Sequence, residues 1–223
     1  LSTLGLTGGA GVVVASGFLN PAANSNGPAF GLYVALPTGG AMIALPTTTP
    51  EALARVQAIH NCADAAAATV DVYVNGDLAI DNFAFRTSTG FLDLPANVQL
   101  NIGIAPGNSM AVTDTIYNLA ATLDSAETYV IVANGIVSPT GYNPAPAFRL
   151  SVFGGARETA NTGTNTDVLV LHGSTDAPTV DIQAGGNTLV NDIAFGSFAN
   201  AYLELPTSNY ILDITDQSGT TKV

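Results

Sequence analysis

The residues equipped for chemistry are few, and they come in pairs. The chain has two histidines, His60 and His172, and each is followed four residues later by an aspartate, Asp64 and Asp176. An H-x-x-x-D turn can be a metal ligand or general base with its carboxylate, or a hydrogen-bonded His–Asp pair that locks a loop. One imidazole and one carboxylate are too few for zinc, and no Cys/His cluster accompanies them, so these residues are read as loop-locking. Asp71 and Asp181, with Asp81 and Asp192, raise the paired carboxylates of glycoside hydrolysis. They recur one per strand or turn at matching places, which suits solvent-facing positions. Cys62, the single cysteine, stands where the second copy has Ser174; a thiol nucleophile needs a partner base, and His60 is not placed to serve. There is no G-x-S-x-G, P-loop, dinucleotide fingerprint or EF-hand spacing. Gly8-Gly9-Ala10-Gly11 precedes a strand, so it lacks the helix N-terminus of a phosphate cradle. The chain is expected to be no enzyme, with no catalytic residue, cofactor or metal.

These pairs exist because the chain repeats itself. VQAIHNCADAAAATVDV at 56–72 matches VLVLHGSTDAPTVDI at 168–182, FLDLP at 91–95 matches YLELP at 202–206, and NIGI at 101–104 matches ILDI at 211–214. The offset is 112 residues at the histidine (172 against 60) and 110 at the threonine (179 against 69). The first copy then continues, and the matching remainder of the second lies at the other end of the chain. VIVANGIVSP at 130–139 matches VVVASGFLNP at 12–21, and PAFRLSV at 146–152 matches PAFGLYV at 28–34, both offset by 118 residues (130 against 12, 146 against 28). Joined, the ends would rebuild a second module with only a few residues missing.

Elements of one kind must position these residues. Short runs rich in Val, Ile, Leu, Tyr and Phe, bounded by Gly, Pro, Asn, Asp and Ser, read as strands. TVDVYV at 69–74 alternates as a half-buried strand does, and Asn75-Gly76-Asp77 signals a tight turn. VIVA and VVVA are continuous apolar runs, suited to a strand covered on both faces. The only helix-like stretch is short, around 50–55. The expected fold is all-β: two tandem immunoglobulin-like β-sandwiches, the second assembled from split halves. Residues 1–46 form the back half of module 2, 53–160 the complete module 1, and 166–223 the front half of module 2. Linkers are placed at 47–52, inside the Thr-rich LPTTTPEA, and 161–165, inside RETANTGTNT.

Composition narrows the partners. Of 223 residues 17 are acidic and 5 basic, a net charge of −12. Such a field repels phosphate backbones and anionic lipid, so neither nucleic acid nor membrane insertion is expected. One cysteine excludes an intrachain disulfide. The first twenty residues carry five glycines and no basic n-region, unlike a signal peptide.

The I-H-N-x-x-D-A…T-V-D-V-Y-V-N-G segment, the F-A-F…F-L-D-L-P segment and the later V-A-N-G strand together resemble a bacterial domain-of-unknown-function family of tandem β-sandwich modules in secreted and cell-surface proteins. The resemblance implies export to the extracellular space or cell surface, and it offers no catalytic residues. A split half-sandwich exposes apolar faces and an unpaired edge, a template for another chain. Three arrangements follow: exchange between subunits, closure of the chain's own ends, or a continuous repeat array. The expected function is a structural subunit of an extracellular filament, its partners copies of itself head to tail. The assembly strands carry Val12, Val13, Val14, Phe18, Phe30, Leu32 and Val34 on one side, and Ile211, Ile214 and Val223 on the other. The alternative is a displayed adhesive or carbohydrate-binding module, with surface glycans or other cells as partners.

Overall fold

The computed structural model describes residues 9–46, 51–219 and 222, and among them the chain is all-β. It divides into two compact units, Leu1–Pro50 and Glu51–Val223. No helix among the described residues is long and apolar enough to cross a membrane.

The first unit is a three-stranded antiparallel sheet of β1 (Val12–Ser16), β2 (Gly31–Ala35) and β3 (Ile43–Ala44), in the order β1-β2-β3. Gly17 sits at φ +91°, where a Cβ would run into the Ala29 carbonyl, so only glycine allows the chain to leave β1 there. Asn20 then caps the 3-10 turn Pro21–Ala23, its Oδ1 accepting from the Ala23 N–H at 3.2 Å. After β2 the chain folds back, and Leu45 N–H bonds the Leu32 carbonyl at 2.8 Å.

The second unit begins with eight strands: β4 (Leu53–His60), β5 (Thr69–Val74), β6 (Asp77–Ala84), β7 (Leu92–Pro95), β8 (Gln99–Pro106), β9 (Tyr117–Thr122), β10 (Thr128–Asn134) and β11 (Arg149–Gly154). They make two four-stranded sheets, β11-β10-β4-β7 and β6-β5-β8-β9. The helix-like stretch around 50–55 is not a helix. Leu53 already opens β4, because Leu53–Val56 pairs with β7 and its alternate residues Ala54 and Val56 enter the core. Asn75 and Gly76, at φ +53° and +97°, make the tight β5–β6 turn that the Asn-Gly pair predicts. The core is aliphatic: Leu100, Val56 and Ile131 in one cluster, Val72, Ile104 and Phe83 in another. VIVA is the doubly covered strand of the expectation, since β10 lies between β11 and parallel β4 with Val130, Ile131 and Val132 all buried.

The remaining strands are β12 (Asn165–Val168), β13 (Val180–Ala184), β14 (Asn187–Ile193), β15 (Leu203–Pro206) and β16 (Leu212–Asp216), in sheets β12-β15 and β14-β13-β16. They repeat the pairing of the first copy. Val72 faces Ile104 as Ile182 faces Ile214, and both β5–β6 and β13–β14 are bulged at the same place. Asp71 and Asp181, expected to face solvent, are buried there. Each accepts from the backbone N–H of a left-handed residue across the bulge, Asn82 at 2.9 Å and Asp192 at 2.7 Å. Asp192 is thus the counterpart of Asn82 rather than of Asp81.

The two copies in this unit meet at equivalent positions. Asn61 Nδ2 donates to the Gly173 carbonyl at 2.9 Å, 112 residues on in the repeat, so the copies touch through equivalent residues. Val130 and Val132 of β10 pack there with Ile59, Leu169, Leu171 and Phe198. The RETANTGTNT stretch that holds the expected linker opens as a strap: Arg157 pairs with Asp167 and Glu204 of the second copy, and Glu158 pairs with Arg55 of the first. The other basic side chains are also engaged. Arg149 donates to the Phe195 carbonyl, Arg86 lies over the Phe85 ring and Lys222 pairs with Asp213.

Equivalent core positions differ in cover: Ile102 is 6% exposed and its counterpart Leu212 is 53% exposed. Ile102→Ala is therefore expected to cost about 2–5 kcal/mol, and Leu212→Ala in dilute protein less than about 0.5 kcal/mol. Urea unfolding of the second unit, followed by circular dichroism, measures both.

Candidate assembly interface

The histidines lock their loops, but not through the aspartates beside them. His60 is buried, and its Nε2–H donates to the Ala67 carbonyl at 2.7 Å, which leaves Nδ1 to accept the Cys62 N–H at 3.3 Å. His172 repeats this with the Pro178 carbonyl at 2.8 Å and the Ser174 N–H at 3.4 Å. Both ring nitrogens are committed in each copy, so neither offers a lone pair to a metal or a substrate. Burial holds the His60 imidazole below its ordinary range, in spite of the bond to Ala67. The Cys62 thiol donates to the Gly135 carbonyl at 3.0 Å, and burial pushes its pKa up, the opposite of a nucleophile's activation. Among the described residues no cluster of three His, Cys, Asp or Glu could hold a metal ion.

Asp64 has a different task. Its Oδ2 accepts the N–H groups of Val137 at 3.0 Å and Ser138 at 2.6 Å, and its Oδ1 accepts the hydroxyls of Ser138 and Tyr142 and the Ala66 N–H. Burial would raise this carboxyl, but the donated hydrogen bonds outweigh it and hold it at about 2. Asp64 is therefore the post to which the loop leaving β10 is tied. Its counterpart Asp176 is exposed, with the Ser174 hydroxyl at 3.1 Å.

That contrast extends along a whole edge. In the first copy β4 pairs in parallel with β10, residues 55–60 against 128–133. In the second copy β12 has β15 on one side and, among the described residues of this unit, no strand on the other. The ladder stops at Val168, where β4 runs on to His60. Asp167, at the start of this edge, is buried, and its Oδ1 has no hydrogen-bond partner among the described residues. Beside the edge a groove of about 690 Å³ separates the copies, with Gln57, Ile59 and Arg86 on one wall and Leu169, Leu171 and Asp176 on the other.

The first unit carries the counterpart of the strand that this edge lacks. Val12–Ser16 pairs with Gly31–Ala35 in the register of 130–134 with 149–153, shifted by 118 residues (130 against 12, 149 against 31). The exits agree as well. Phe18 N–H bonds Pro28 O and Phe30 N–H bonds Phe18 O at 2.8 and 3.0 Å, the same lengths as Ile136 to Pro146 and Phe148 to Ile136. Gly17 and Gly135 share φ +91°. Cover is what differs: Val12 is 64% and Val13 56% exposed, against 6% and 8% for Val130 and Ile131.

Of the other residues assigned to assembly, Phe18, Phe30, Leu32, Ile211 and Ile214 are exposed and Val14 is half-buried. Val34 is buried within its own unit, against Gly11, so it packs the hairpin itself and presents no free surface. Val223 lies outside the described residues. The sequence reading passed over Asp167, the Arg157–Glu158 strap and the groove, none of which has a periodic signature.

Residues 166–223 match a family described as Domain of unknown function (DUF4397), and these are the residues that carry the open edge. No curated protein matches the chain.

The buried pair sets an acid response with two stages. An unfolded histidine takes up a proton near pH 6.5 while His60 resists it, so stability should fall as pH drops below about 6.5. The Asp64 carboxyl, at about 2 against an ordinary 3.8, contributes stability above the unfolded value that is lost as pH falls from 3.8 through about 2. Urea midpoints of the second unit across this range should show both declines, with His60→Gln flattening the first and Asp64→Asn the second.

Proposed function

We propose that the chain is a structural, non-catalytic subunit of an extracellular bacterial filament or surface fibre, assembled head to tail by strand complementation or as a continuous array. One observation carries this reading: an open strand edge and a bare hairpin whose internal counterparts, β4 and β10–β11, are mated in the first copy. A contact between two different surfaces of the same chain leaves both surfaces free on the ends of each complex. Unless its rotation closes into a ring, such a heterologous contact grows without limit. Exposed apolar residues on both surfaces supply the driving force, and backbone hydrogen bonds along the edge supply the direction.

A displayed glycan-binding or adhesive module is the second reading, favoured by the groove with Phe85, Phe91 and Tyr202 among its lining residues. Sedimentation and negative-stain microscopy over a hundredfold range of protein concentration separate the two. Polymers that lengthen with concentration are expected. Compact monomers at every concentration would reject the filament, and binding to a glycan array would then favour the second reading.

A further inference from the structure

The first copy is an internal template for the mating that the second copy lacks, and it specifies the contact residue by residue. Resting on the reading above, we infer that the hairpin β1–β2 of a second copy seats on the free edge of β12 in parallel, residues 10–15 against 167–172. Shifting the β4–β10 contacts by the repeat offsets yields three polar anchors. The Gly173 N–H donates to the Ala15 carbonyl, as Asn61 does to Ala133 at 2.9 Å. The Ser174 hydroxyl donates to the Gly17 carbonyl, as the Cys62 thiol does to Gly135 at 3.0 Å. Asp176 accepts the N–H groups of Leu19 and Asn20, as Asp64 does those of Val137 and Ser138. Val12 and Val14 enter the groove opposite Gln57 and Ile59, which the repeat offsets make the counterpart of the place where Val130 and Val132 meet Leu169 and Leu171.

The occupant is a second copy because the hinge is short. In the template, ten residues (155–164) connect the end of β11 to the start of β12. The chain leaving β2 does not depart from the equivalent end. It turns back through β3 and leaves at Leu45, beside Leu32, with only residues 45–52 before β4. Turning back by three strand residues, from Ala35 to the level of Leu32, moves the departure point about 10 Å along the sheet, while the bridging segment loses two residues. A connection shorter than that of the template favours exchange with a neighbour over closure in place.

Paired cysteines in a Cys62→Ser background test this. Val13→Cys with Val170→Cys, the positions of Ile131 and Ala58 in the template, should give a non-reducing ladder of multiples of 22.5 kDa. Val12→Cys with Val170→Cys, one residue out of register, should not. Asp176→Ala should raise the critical concentration for assembly at least tenfold, about what one charged hydrogen bond contributes. Six Gly/Ser residues inserted within 47–50 should convert polymers into cross-linked monomers. Polymers without the Val13–Val170 ladder would overturn this register and leave the filament standing. A cross-linked monomer with the natural hinge would overturn the second copy as occupant, and the absence of both polymer and cross-link would reject the filament itself.

Discussion

The parallel ladder between β4 and β10 is the constraint on which the second unit depends. It joins strands more than sixty residues apart, it covers a run of aliphatic side chains that tolerates water on neither face, and it sets the level at which the following loop must be tied down. The other conspicuous features of the first copy serve it. His60 fixes the turn by which the chain leaves β4, Cys62 fastens that turn to Gly135, and Asp64 collects the backbone N–H groups beyond β10. Residues that look like a reaction centre in one dimension are, in three, the fastening of a strand.

This explains why the recurring polar residues are buried: their polar atoms are taken up by hydrogen bonds within the sheets and loops. A carboxylate inside a β-protein survives when it is fully supplied with donors, and the sandwich offers backbone N–H groups wherever its ladder is interrupted. Asp64 sits at a strand exit and Asp71 and Asp181 at bulges, each meeting N–H groups that no neighbouring strand can use. The buried polar groups thus mark the defects of the sheets, and both copies interrupt their sheets at the same places.

Much of this was legible in the sequence. The duplication, the all-β character, the Asn75-Gly76 turn and the doubly covered VIVA run follow from spacing and period alone. What could not be read was the identity of hydrogen-bond partners. His60 and Asp64 stand four residues apart and invite pairing, yet the Ala65–Ala67 3-10 turn between them brings the Ala67 carbonyl to the imidazole and leaves the carboxylate for a loop over seventy residues away. Burial of Asp71 escaped notice because alternation assigns it to the outer face, and only the bulge brings Asn82 N–H within reach. Arg157 and Glu158 open the Thr-rich RETANTGTNT stretch, whose composition suggests a linker. Their opposite charges bind them to different copies, which no one-dimensional pattern encodes.

The scarcity of basic side chains has a consequence of its own. With 17 acidic side chains against 5 basic, the chain carries a surplus of twelve negative charges that its few cations cannot offset. Two such chains approaching one another repel over distances that dissolved ions control, about 8 Å at physiological ionic strength. Were copies to mate as proposed above, added salt would lower that repulsion while leaving the apolar contacts and backbone hydrogen bonds of the seat in place. Ionic strength would then act as a throttle on encounter, quiet in dilute buffer and permissive in brine.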